Sequence, residues 1–227
     1  MGPALIALPA RVFRLSRSPD PLKLTSWEYI RQGARGRWDD TVEDYRVLYC
    51  SDSEVGAFVE VLQDLRQDAT ALEMLEGIAG DDETESSRAV LVRVRLQNRW
   101  SGVLIPNQPE ERVVDVHHGA TRSFLESALG SVLIDLDYPT LKVGDAIGSN
   151  RHVSRMASRL FYDAKLNGVR ARSAEHAPSE MIALFETHPV SGRVRVGLVH
   201  ESVTLALERG DKIFEAAMYL GLVQSNV

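Results

Sequence analysis

The chain of 227 residues carries a single cysteine, Cys50, so no intrachain disulfide can staple it. That cysteine lies in the apolar run Val47-Leu48-Tyr49-Cys50, where a buried thiol behaves as a small hydrophobe, and a reducing cytoplasm is the expected compartment. Positive charge is also in deficit: 26 Lys and Arg against 32 Asp and Glu leave a formal net charge of −6. No global field would gather nucleic acid or anionic lipid, so direct nucleic-acid binding is not expected. Apolar runs of membrane length are missing as well. The N-terminal Leu5-Ile6-Ala7-Leu8 has no Lys or Arg before it and runs into Arg11 and Arg14, so neither a membrane span nor secretion is expected.

Several chemical signatures are absent too. The six histidines (His117, His118, His152, His176, His188 and His200) form no zinc-site spacing with cysteine or acidic ligands, and no metal is expected. Gly144-Asp145-Ala146-Ile147-Gly148 lacks both a phosphate-loop lysine and a full dinucleotide fingerprint. No serine sits in a nucleophile elbow and Cys50 has no catalytic context, which argues against covalent hydrolysis.

What remains is an ordinary globular composition, 44% apolar and 26% charged, able to bury one substantial core. A single domain over residues 1–227 is expected. Val12 to Leu15 and Val47 to Cys50 read as strands. Ser51 and Glu54 have capping-box spacing, and Val55, Phe58, Val59, Leu62 and Leu65 recur at helical intervals, which predicts a helix from about 53 to 67. Glu60 falls on its opposite face with Gly56, Asp64 and Gln67.

Asp81 to Ser87 reads as an acidic surface loop. Val90, Val92, Val94 and Leu96 then alternate strictly, the clearest strand pattern in the chain. Val113 to Val116 reads as a strand, Thr121 to Leu129 as a helix ended by Gly130, and Val132 to Leu136 as an apolar run placing Asp135 and Asp137 at a strand end. After Asn150 comes a helix with the stripe Val153, Met156, Ala157, Leu160, Phe161 and Ala164, ended by a left-handed Gly168. Val169 to Arg172, Met181 to Phe185 and Val194 to Leu198 are strand candidates, and two helical patterns split near Gly210 follow from Glu201. Arg155, Arg159, Arg170 and Arg172 cluster in sequence, either as a solvated face or as a patch for a small anion.

A constellation spread along the chain carries the function. Its segments are Gly36-Arg37-Trp38, Val47-Leu48-Tyr49-Cys50-Ser51, Ala57-Phe58-Val59-Glu60-Val61, Gly168-Val169-Arg170-Ala171-Arg172-Ser173 and Ala183-Leu184-Phe185-Glu186. In order and spacing these resemble the RES domain, a family named for Arg, Glu and Ser. The resemblance spans a core of about 11–187 and leaves a C-terminal extension of about 188–227. It departs from the family at Asp39, where Asn is common.

The resemblance implies an α+β fold like that of ADP-ribosyltransferases, with small mixed sheets forming a cleft flanked by helices. It implies NAD as substrate, degraded by hydrolysis or phosphorolysis, and the role of a toxin held by a helix-turn-helix antitoxin. Self-association into a homodimer stays open. So do two alternatives: ADP-ribosyl transfer to a protein or small molecule, and a non-catalytic nucleotide- or partner-binding module.

The residues suit that chemistry. Cleaving the nicotinamide–ribose bond builds positive charge on the sugar, which a fixed carboxylate stabilises. Glu60 on a rigid helix, one turn from Gly56, fits that role; otherwise it is a solvated surface acid. Arg37 beside a flexible Gly36 suits the diphosphate, through its planar fork of donors. Tyr49 suits stacking on nicotinamide or bonding a ribose hydroxyl, and Ser173 suits binding ribose or positioning the attacking phosphate or water. Their bland alternatives are a surface ion pair, a core aromatic and a turn residue.

Overall fold

A computed structural model describes residues 2–31, 36–40, 42–66, 87–138, 140–142, 144, 151–187 and 191–222. The expected loop at Asp81 to Ser86, most of the Gly144 to Gly148 segment, Gly33 to Arg35, Gln67, Asn150 and His188 lie outside the described residues. The elements run β1 (Leu5–Ala7), β2 (Val12–Ser16), α1 (Trp27–Arg31), β3 (Val47–Ser51), α2 (Glu54–Leu62), α3 (Ser87–Leu96), β4 (Trp100–Pro106), β5 (Arg112–Asp115), α4 (Gly119–Asp135), α5 (Arg151–Asp163), β6 (Gly168–Arg172), β7 (Glu180–Phe185), β8 (Leu198–Leu205) and α6 (Gly210–Tyr219). The expected α+β class is what forms, with the strands joined into one eight-stranded sheet of order β1-β5-β6-β7-β3-β2-β4-β8. Among the described residues every strand pairing is antiparallel except β5 with β6.

The two-residue period of the strands sorts the core. Val47 and Tyr49 of β3, with Ala183 and Phe185 opposite on β7, face one side, where α4 and α5 bury Leu125, Leu133, Val153, Ala157 and Phe161 against them. Leu48, Cys50, Ile182 and Leu184 face the other side. They meet Leu8 and Val113 from one end of the sheet and Val12 and Leu104 from the other, so the sheet curls over this cluster. A third cluster packs α2 through Phe58, Val59 and Leu62 onto Val92 and Leu96 of α3 and Ala216, Ala217 and Leu220 at α6.

Several sequence expectations change. The alternating Val90 to Leu96 segment lies in the helix α3, not a strand. Val92 and Leu96 stand one turn apart and are buried, while Val90 and Val94 face outward. The i, i+4 pair fits the surface of α2, and packing there overrides β-propensity. Helix α4 does not stop at Gly130 but runs through it to Asp135, at a glycine cost of about 0.5–1 kcal/mol. The run Val132 to Leu136 is thus helical up to its cap, and Asp135 and Asp137 are not a strand pair; Asp137 instead has φ 63°.

Helix α2 begins two residues later than a Ser51 cap would place it. Ser53 is the cap and accepts from the Gly56 amide at 3.0 Å, while Ser51 closes β3 and Glu54 turns to Arg209 and Ser101. The helix ends at Leu62, short of 67. After α5, Lys165 with φ 62° takes the left-handed position expected of Gly168. Gly168 opens β6, where an added Cβ would fall 2.3 Å from the Ala183 carbonyl oxygen. In the tail, Val194 makes one isolated bridge, and the first of the two expected helical patterns is largely β8, which pairs with β4 along its length.

Candidate active site

Glu60 sits at the end of β6 and β7 where the chain turns between them. The turn is tight: the Ser173 amide donates to the Ser179 carbonyl at 2.9 Å and the Ser179 amide to the His176 carbonyl at 2.8 Å. Within it, the Ser173 hydroxyl accepts from the amides of Glu175 (3.1 Å) and His176 (2.9 Å). Its own proton goes to Glu60 Oε1 at 2.6 Å. The Glu60 carboxylate is therefore aimed by a hydroxyl that backbone amides fix in place. Gln63 Nε2 donates to the Glu60 carbonyl at 3.0 Å. Burial pushes the Glu60 carboxyl above its ordinary range; the Ser173 bond and Arg37 oppose this, and Glu175 adds to it.

Across a cleft of about 320 Å³ from Glu60 stands the Gly36-Arg37-Trp38 turn. Tyr49 holds it. The Tyr49 hydroxyl donates to Asp39 Oδ1 at 2.8 Å and accepts from the Trp38 amide at 3.0 Å, and the Gly36 amide donates to Asp39 Oδ2 at 2.5 Å. Burial raises the Tyr49 phenol well above its usual value, with Asp39 adding to the shift, so it stays protonated. The hydroxyl's donor and acceptor roles are thus spent on the turn, while Tyr49 still lines the cleft. Gly36 is needed for close approach rather than flexibility: a Cβ there would lie 2.3 Å from the Tyr49 hydroxyl oxygen. Helix α5 secures the other side, Ser154 donating to the Arg37 carbonyl at 3.0 Å and Ser158 to that of Trp38 at 2.6 Å.

Gly56 also has a different task from the one expected of it. Its face meets the hydroxyls of Ser179 and Ser51, both 2.5 Å from where a Cβ would be, so it seats α2 against the β6–β7 turn instead of leaving room for a ligand.

Arg37, Tyr49 and Glu60 therefore line one cleft, and Ser173 joins it through Glu60. Of the sequence cluster of arginines only Arg172 lines it; Arg170 pairs with Glu180 at 2.8 Å, and Arg159 is held by Asp40, Asp44 and Asp163. Two lining arginines were not singled out from the sequence. Arg151 begins α5, and burial together with its charge lowers the Arg37 guanidinium below the usual arginine value. Arg14 stands in the middle of β2, and its Nε and Nη1 are buried with no hydrogen-bond partner among the described residues. A lone arginine between Phe13 and Leu15 was the available signal. Among the described residues no three His, Cys, Asp or Glu side chains group as a metal site would require, and no helix is long and apolar enough to cross a membrane. Chemically, the cleft combines one aimed carboxylate with the guanidinium groups of Arg14, Arg37, Arg151 and Arg172, which suits a ligand that is anionic in one part and becomes cationic in another.

Residues 11–206 match the family model described as the RES domain. A search of curated proteins gives no match. Among solved structures, the chain is similar to one in the M. tuberculosis MbcT–MbcA toxin–antitoxin complex, with 14% sequence identity and a TM-score of 0.47, over 96% of this chain and 91% of that one.

Proposed function

The chain belongs to the RES domain family, and on that premise we propose that it cleaves the nicotinamide–ribose bond of NAD, with water or phosphate as acceptor. The observation that carries this reading is the Glu60 carboxylate, fixed by Ser173 at 2.6 Å and facing the Arg37 turn across the cleft. As the bond breaks, its electron pair passes to the nicotinamide nitrogen, which leaves neutral, and the ribose becomes cationic. Glu60 stabilises that cation in this reading. Arg37 and the neighbouring guanidinium groups hold the diphosphate, so NAD enters already oriented. The acceptor oxygen then bonds to the ribose carbon, and with water a proton is released.

Incubating the purified protein with NAD, with and without phosphate, and separating the products tests this. Free nicotinamide with ADP-ribose, or with phosphorylated ADP-ribose, is the expected result. ADP-ribose fixed to protein would favour a transferase instead, and NAD binding without nicotinamide release would favour a non-catalytic module. The same reading makes the chain the toxin of a pair, silenced by a helix-turn-helix antitoxin. Inducing it alone in bacteria should deplete NAD and arrest growth, and Glu60→Gln should relieve both.

A further inference from the structure

We propose that a second pocket, sharing the Glu60 wall with the cleft, is a binding site for a phosphoryl group distinct from the diphosphate assigned to Arg37. This pocket, of about 470 Å³, adjoins the cleft through Arg14, Leu15, Glu60 and Val61. Two stretches of chain bring five cations to it: Arg14 of β2 with Arg17 and Lys23 from the segment that follows, and Arg95 of α3 with Arg99 just beyond it. Tyr29 of α1 and several Ser and Thr residues complete the lining. A patch this basic is unusual on a chain of net charge −6.

The cations are held mostly by neutral groups, so their charge is only partly compensated. Arg17 donates to the Tyr29 hydroxyl at 2.8 Å and lies over its ring. Arg99 Nε donates to the Arg95 carbonyl at 2.9 Å, and Arg95 Nε to the Val61 carbonyl at 3.2 Å. Asp64 takes one Arg95 nitrogen, and Glu60 is the sole carboxylate on the pocket wall among the described residues. Burial and the nearness of Arg17 and Arg95 bring the Arg99 guanidinium down to about 10. Arg14, which lines this pocket and the cleft alike, adds to this. Its Nη2 donates to the Lys23 carbonyl at 3.1 Å, but Nε and Nη1 are buried without a partner among the described residues, an arrangement proteins rarely leave unsatisfied. A tetrahedral oxyanion would satisfy those donors and relieve the repulsion among the arginines, and the planar forks of Arg suit a phosphoryl group above a simple halide.

The phosphoryl group has two sources: free inorganic phosphate, or the extra phosphate of NAD phosphorylated on its adenosine ribose (NADP). Neither depends on turnover, so binding is the readout and the result is separable from whether the cleft cleaves NAD. Titration calorimetry of the full chain with inorganic phosphate, at constant ionic strength in chloride, and of the Glu60→Gln protein with NAD and NADP, tests the site. Saturable phosphate binding weakened at least about tenfold by Arg99→Gln and by Arg17→Gln, but not by Arg172→Gln, is the expected result for free phosphate. A preference for NADP over NAD that the same two variants abolish is the expected result for the nucleotide. Arg17 is exposed and Arg99 half-buried, so the test does not require Arg14, whose free donors are buried, to be replaced. Absence of both phosphate binding and an NADP preference, or either one unchanged in both variants, overturns the proposal.

Discussion

Strands β3 and β7 lie side by side, and each end of the pair carries an arginine–glutamate system built on opposite terms. At one end Glu186 is fully buried, and Arg46 grips it with two nitrogens at 2.6 and 3.0 Å while the Arg46 and Gly192 amides add bonds of 3.1 and 2.8 Å. Burial pushes the Glu186 carboxyl up, but these bonds outweigh it and hold it below its ordinary value. At the other end Glu60 meets a serine hydroxyl, Arg37 stands across a cleft, and its carboxyl is raised. The same residue types make a closed knot in one place and an open, poised site in the other. On the proposed function, what separates a structural pair from a working one is the satisfaction of the charges, and not their identity.

Exchanging the roles of the two ends should give the largest effects. Glu60→Gln keeps the shape of the side chain and is expected to lower NAD turnover about a hundredfold or more, the scale of a lost transition-state contact, without loss of folded protein. Arg46→Ala should leave Glu186 buried without its partner and cost about 3–5 kcal/mol in chemical denaturation. If Glu60→Gln unfolds the protein while Arg46→Ala is harmless, the assignment of the two ends is reversed.

Arg37→Ala comes next. It removes a charged donor from the cleft and should weaken NAD binding by about 1.5–3 kcal/mol, roughly tenfold to a hundredfold. Arg159→Ala, taken from a cation already bound to three aspartates, should leave NAD affinity nearly unchanged. Equal losses in a binding titration would remove Arg37 from its role. Tyr49→Phe is a smaller perturbation. Losing the hydroxyl that ties Trp38 and Asp39 should cost about 1 kcal/mol of stability and loosen the Arg37 turn, which would appear as a raised KM with a smaller change in kcat.

How much of this contrast the sequence discloses depends on the range of the interaction. Helix α2 and the outward face of Glu60 are readable because a 3.6-residue period is local. The Ser173–Glu60 bond joins residues 113 apart, and only the order of family segments pointed to it. Helix α3 misleads because Val90 to Leu96 satisfies both an alternating and an i, i+4 pattern, and the decision belongs to the surface of α2. Strand β8 reads poorly because His200, Glu201 and Ser202 are exposed, and its pairing with β4 decides it. Arg14 could be seen as an odd residue in a strand, but its unsatisfied donors appear only once β2 is set beside the cleft.

The smallest expected effect is on the pH dependence of stability, and it tests the contrast most directly because the two glutamates should act with opposite sign. A carboxyl whose folded value is lowered binds its proton more weakly when folded. Glu186 therefore stabilises the fold above the ordinary carboxylate range, and the benefit is lost as pH falls through its lowered value. Glu60 has the reverse sign: its raised value means that the folded state favours the proton, so ionisation costs stability as pH rises through that value. The Tm of Glu60→Gln should match the parent in acid and exceed it near neutrality. That of Glu186→Gln should fall furthest below the parent near neutrality and approach it in acid. Turnover should follow the first of these titrations, rising with pH as Glu60 ionises, so the protein loses stability over the pH range in which it gains activity. Parallel Tm curves for the parent and Glu60→Gln would mean that Glu60 carries no strained charge, and the distinction between the closed and open ends would then rest on geometry alone.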